Sequence, residues 1–330
     1  MVTPKIFYEH LLDGFELRER IDKELEFEQD YLNHVRKLLA VAQVDADVDA
    51  DYSRPFSFSG GKVSPEVVLS ALLDQVQDCV GIKRPVHCGL WPSGELGART
   101  RRHGDTAIIL VDVGLWFYLR FACQQVTLAV EAITARPEQW GPDDASKDPG
   151  GLLRDYLHRY ISGESNLRDS TRLTLLAGPR ETLRRDLNRA ALLYVVAHEY
   201  SHAISSDAEL KTVVWSERNE LASQAVENNA DQLAANVLGA TTFTSGPLAA
   251  VLGPVLTLYL QAFALRTQQA NGLDPVNWTH LAPEIRAEIV QSMLITKHPM
   301  HEAVAIRFRE WLWARLQYEE LWGQGIEKAT

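Results

Sequence analysis

A chain of 330 residues, at roughly 150 residues per domain, makes one large domain or two small ones and can bury a substantial core. Apolar residues make up 46% and charged residues 23%, which excludes a disordered tail or a low-complexity repeat. Against 44 acidic residues stand 33 basic ones, a net charge of -11, so a phosphate backbone finds little to hold and no nucleic-acid partner is expected.

Taken in chain order, the N-terminal stretch MVTPKIFYEHLLDGFELRER mixes charges into its apolar positions and has no hydrophobic signal core. With three cysteines, Cys79, Cys88 and Cys123, that form no CxxC pair, this points to a reducing, cytoplasmic setting. Leu17, Ile21, Leu25, Leu32, Val35 and Leu39 recur at helical spacing and predict an amphipathic helix over 14–42. In the following VDADVDADYSRPFSFSGGK, Asp45, Asp47, Asp49 and Asp51 lack the glycine and glutamate that a calcium loop needs at its sixth and twelfth positions. Residues 43–62 therefore read as a solvated hinge. The expected organisation is an N-terminal helix and hinge over 1–62 and a second domain over 63–330, with the first able to cover a cleft in the second.

Ser64, Pro65 and Glu66 start a helix that runs to about Val80. Ala107 to Val113 is a β-branched, apolar strand expected to have a hairpin partner, and Leu115 to Ile133 returns to helical spacing. Further helices are predicted over 151–161, 179–205, 215–239, 247–265, 283–296 and 300–323. Residues 247–265 carry no charge, but Gly253 and Pro254 interrupt them and Gln261 follows, so they read as a buried core helix, and no membrane partner is expected. The fold class is α+β, mostly helical with a small sheet.

The helix over 179–205 contains HEYSH. His198 and His202, four residues apart, project from one face and can grip one ion at about 2.0–2.1 Å. Glu199 is turned about 100° from His198, out of reach as a ligand but able to reach a water on the metal, which makes it the candidate general base. A third ligand is needed, and Glu227 and Asp231 in SQAVENNADQLAANVLG share one helical face four residues apart. Glu227 is the candidate ligand, and Asp231 the acceptor that fixes the His198 tautomer. Glu220, followed by Gln224, is the rival ligand.

HEYSH followed by ENNAD resembles the gluzincin zinc metallopeptidases, closest to the CAAX-prenyl-protease and HtpX-like peptidases, with the ImmA/IrrE-type peptidases second. The resemblance implies a zincin-like core with a small antiparallel sheet beside the HExxH helix, a bound Zn2+ and a protein or peptide substrate. In that family a strand and a Gly-Leu-Leu segment precede the zinc helix, and AIILVDVGLWFYL is similar, with Gly114 and Leu115 in matching places. By that resemblance residues 107–113 form an edge strand that pairs with substrate backbone. The family's later His-Pro segment with a downstream arginine resembles His298, Pro299 and Arg307. His298, or alternatively His301, is then a candidate catalytic donor to the oxyanion.

The expected function is a zinc-dependent endopeptidase. The alternative is a regulatory or binding protein with a structural zinc, acting through a docked partner. A structural site is closed by four protein ligands, so Cys88 or His87 on the metal would favour the alternative. A small-substrate amidase of the deformylase type would need a cysteine ligand, and none flanks HEYSH.

Overall fold

The computed structural model describes residues 3–14, 17–21, 65–93, 95–103, 105–135, 153–154, 157, 178–205, 217–270 and 282–316. The acidic hinge over 43–62, most of the helix expected over 14–42, nearly all of the one over 151–161, and residues 317–323 of the last helix lie outside them. Contacts divide the chain into two compact units, Met1–Trp116 and Phe117–Thr330. The boundary expected at 62/63 falls among residues 22–64, outside the described residues.

In the first unit, helix α1 (Pro4–Gly14) was not foreseen; it buries Tyr8 and Leu12, one turn apart. The Tyr8 hydroxyl donates to the Leu90 carbonyl at 2.7 Å, and a Cβ on Gly89 would meet the Tyr8 ring at 2.5 Å, so only glycine admits the ring there. Helix α2 (Pro65–Val80) follows the predicted span and buries Val68, Leu69, Leu72, Leu73 and Val76, the stripe a 3.6-residue repeat produces. Gly81, at φ +72°, closes it by donating to the Gln77 carbonyl.

Strands β1 (Val86–Trp91), β2 (Ala98–His103) and β3 (Thr106–Asp112) form one sheet in the order β1-β3-β2. β2 and β3 make the predicted hairpin, with Thr100 opposite Ile109, while β1 lies parallel to β3, with Cys88 opposite Ile109. Two expectations are thereby corrected. The sheet is mixed, not antiparallel. The strand over 107–113 is central, not an edge, because both of its sides are hydrogen-bonded to neighbours, and a substrate backbone has no free side to pair with. The reason is visible in composition: Ala107 to Asp112 are all buried, and an unbroken apolar run suits a strand covered on both faces.

Helix α3 (Val113–Ala135) leads from the sheet into the second unit, whose described elements are all helices. It comprises α4 (Pro179–Ile204), α5 (Glu217–Ala240), α6 (Leu248–Ala270), α7 (Pro283–Lys297), a 3-10 turn (Pro299–His301) and α8 (Glu302–Leu316). The long α4 packs against α5 and α6; α6 also packs on α7 and α8, and α5 on α7. Within α6, Leu248–Thr267 is long and apolar enough to cross a membrane, yet 78% of it is buried in protein. The helix is apolar all round because neighbours surround it. Gly253 does not break it. A Cβ there would stand 2.8 Å from the Ala190 Cβ and 2.8 Å from the Ala191 backbone nitrogen, so glycine lets α6 press onto α4 two turns before His198.

Candidate metal centre

Helix α4 is buried continuously from Ala190 to Ser201, which places the HEYSH histidines deep in the second unit. The Nε2 atoms of His198 and His202 stand 3.2 Å apart. From α5, Glu227 brings Oε2 to 3.2 Å from His198 Nε2 and Oε1 to 3.3 Å from His202 Nε2. Donors at about 2.05 Å from one cation and at the tetrahedral angle stand about 3.3 Å from each other. Each of these three contacts is close to that spacing, with the carboxylate meeting the two imidazoles through different oxygens, and two imidazoles with a carboxylate are a donor set that could hold a divalent transition-metal ion. Among the described residues no fourth His, Cys, Asp or Glu joins the cluster.

Behind His198 lies a buried polar network. Its Nδ1 is 2.9 Å from Asp231 Oδ1, so an N–H donated there leaves the Nε2 lone pair facing Glu227 and His202. Asp231 is 1% exposed and also accepts from the Tyr194 hydroxyl at 2.7 Å, one turn before His198. The fourth member is Arg286 on α7. Its Nε donates to Asp231 Oδ2 at 2.9 Å and its Nη2 to Oδ1 at 2.8 Å, a two-pronged grip on one carboxylate. Nη2 also lies 3.3 Å and 3.4 Å from the two ring nitrogens of His198, and Nη1 is 3.5 Å from Glu227 Oε2.

Burial opposes charge at every one of these groups, and the pairing overrides it. His198 is pulled down by burial, but hydrogen bonds to Asp231 and Glu227 carry it up to about 9. Burial likewise pushes Glu227 up, yet the hydrogen bonds from His198 and His202 hold its carboxyl far below the usual range. Asp231 follows the same pattern, with burial opposed by Arg286 and then His198. The paired carboxylates thus favour positive charge at His198.

Glu199 is buried, at 9% exposure, and lies outside the three-donor cluster. Glu220 lies on α5 seven residues before Glu227, about 10 Å along the axis, and its side chain is outside the described residues. His298 is the half-buried C-cap of α7, twelve residues and about 18 Å along the helix from Arg286, and is not one of the three donors of the cluster. His301 is in the adjoining 3-10 turn and Arg307 is exposed on α8. His87 and Cys88 belong to β1 in the first unit, His87 against the Tyr8 ring at 4.9 Å, and neither joins the cluster.

Arg286 escaped the sequence reading although a signal was present. The buried positions of α7 are Pro283, Arg286, Ala287, Val290, Gln291 and Leu294, a helical stripe in which an arginine occupies a core position. A charge on the apolar stripe asks for a buried partner of opposite sign. Compared with protein-family models, with curated proteins and with solved structures, the chain matches none of them.

Proposed function

We propose that the chain is a metal-dependent hydrolase, and more narrowly a cytoplasmic zinc endopeptidase with a zincin-like core. The observation that carries this reading is the convergence of His198, His202 and Glu227 from two helices, with imidazole–imidazole and imidazole–carboxylate contacts of 3.2–3.3 Å, next in sequence to the buried Glu199.

His198, His202 and Glu227 would hold the ion, and when bound it supplies a Lewis acid that makes a coordinated water easier to deprotonate. Glu199 accepts the proton of the attacking water and can return it to the leaving amine. Asp231 keeps the His198 imidazole oriented throughout. Among the described residues three donors converge and no fourth joins them, which favours this reading over a structural zinc closed by four. The peptide as substrate rests on the resemblance of HEYSH and ENNAD to the gluzincins. Residues 107–113 lend it no support, and a substrate strand would need another surface. The free thiols of Cys79, Cys88 and Cys123 suit the cytoplasm.

The test pairs zinc stoichiometry with hydrolysis of denatured casein by the full chain and by Glu199→Gln. One zinc per chain in both proteins, with cleavage by the parent alone, is the expected result. A variant that cleaves as fast as the parent refutes the assigned base. A parent that holds zinc and cleaves no peptide moves the reading to the regulatory alternative.

A further inference from the structure

We propose that Arg286 is a positioning residue of this metal centre, acting through Asp231 to aim the His198 imidazole. The inference rests on the metal-centre reading above. A carboxylate's terminal torsion is soft, with no sharp staggered minima, so Asp231 alone would not define the plane in which it accepts the His198 N–H. Arg286 supplies that definition: a guanidinium fork on both carboxylate oxygens, at 2.8 Å and 2.9 Å, holds the two groups in one plane. Oδ1 then receives the His198 N–H, the Tyr194 hydroxyl and one prong of the fork together. The same guanidinium lies against the imidazole it serves and reaches towards Glu227 at 3.5 Å.

Two effects of Arg286 on a bound cation have opposite signs, which makes the role measurable. Its positive charge, close to Glu227, repels a second cation and by itself weakens metal binding. Its fork orders the carboxylate that orients His198 and strengthens metal binding; losing such an outer contact costs 10–100-fold in affinity. Lysine keeps the charge but cannot form the fork. The positioning role therefore requires that both Arg286→Gln and Arg286→Lys weaken the site.

The experiment titrates Zn2+ into the full-length parent and both variants against a chromophoric chelator, and records the visible spectrum after Co2+ loading. About 10–100-fold weaker Zn2+ binding in each variant is expected, with a changed cobalt spectrum and unchanged helical circular dichroism. Equal or tighter binding by Arg286→Gln overturns the proposal, because repulsion would then be its whole effect. Parental affinity and cobalt spectrum in Arg286→Lys also overturn it, because charge without the fork would suffice. Should Arg286→Gln fail to fold, the lysine variant decides alone. A parent that binds no Zn2+ defeats the metal-centre reading itself, an outcome distinct from a parent that binds and variants that match it.

Discussion

Replacing Asp231 by Asn changes one oxygen to an amide and removes one charge, yet the network leaves no acceptable orientation for the new side chain. Oδ1 accepts three donors, from His198, Tyr194 and Arg286, while Oδ2 accepts the Arg286 Nε–H. With the amide oxygen at the first position, its NH2 faces the Arg286 Nε–H, donor against donor. With the amide reversed, it faces three donors. At least one charge-assisted hydrogen bond, worth about 1.5–3 kcal/mol, is lost. Arg286, 7% exposed, also keeps only the 3.5 Å contact with Glu227 as compensation, and breaking a buried pair costs about 3–5 kcal/mol in total.

Urea unfolding of the second unit in the presence of a chelator, so that no cation contributes, should show Asp231→Asn less stable by about 3–5 kcal/mol at pH 7. The pH dependence adds a second check. The Asp231 carboxyl is held below its unfolded value near 3.9, so its stabilisation is present above that pH and lost as acid titrates the folded form. Because Asp231 also holds the His198 imidazole up to about 9, the deficit of the variant should grow as pH falls from about 9 towards about 6, stay level to about pH 5 and shrink in stronger acid. A variant within about 1 kcal/mol of the parent would refute the network as a source of stability.

Two further outcomes follow from packing and burial. Gly253→Ala puts a methyl 2.8 Å from the backbone of α4 and should lower stability by about 1–3 kcal/mol in thermal or urea unfolding; a neutral variant would mean that α6 and α4 are not in close contact. In the first unit, burial pushes the Asp112 carboxyl up to about 7 despite its pairing with Arg99 at 3.0 Å. A carboxyl with a raised folded pKa holds its proton more tightly when folded, so its contribution is full below about pH 4 and declines until about pH 7, by at most about 4 kcal/mol. Asp112→Asn should flatten that slope in unfolding measured across pH 4 to 8, and an unchanged slope would assign the pH dependence to another group.

What the sequence determined by itself was whatever one helix or strand repeat can express. His198 and His202 share a face because four residues nearly complete a turn, and the same holds for Glu227 and Asp231. Helices α2, α4, α6 and α7 and the β2–β3 hairpin were legible from periodicity and from proline and glycine signals. Which repeat meets which was not. β1, for which no strand was expected by itself, inserts a parallel pairing on β3 and turns an expected edge into a central strand. Arg286 reaches Asp231 across 55 residues, and the family pattern instead drew attention to His298 and Arg307. Gly253 looked like an interruption and is a contact. Such pairings depend on side-chain volumes and on how separate helices cross, which no local spacing encodes, and only the packed chain decides them.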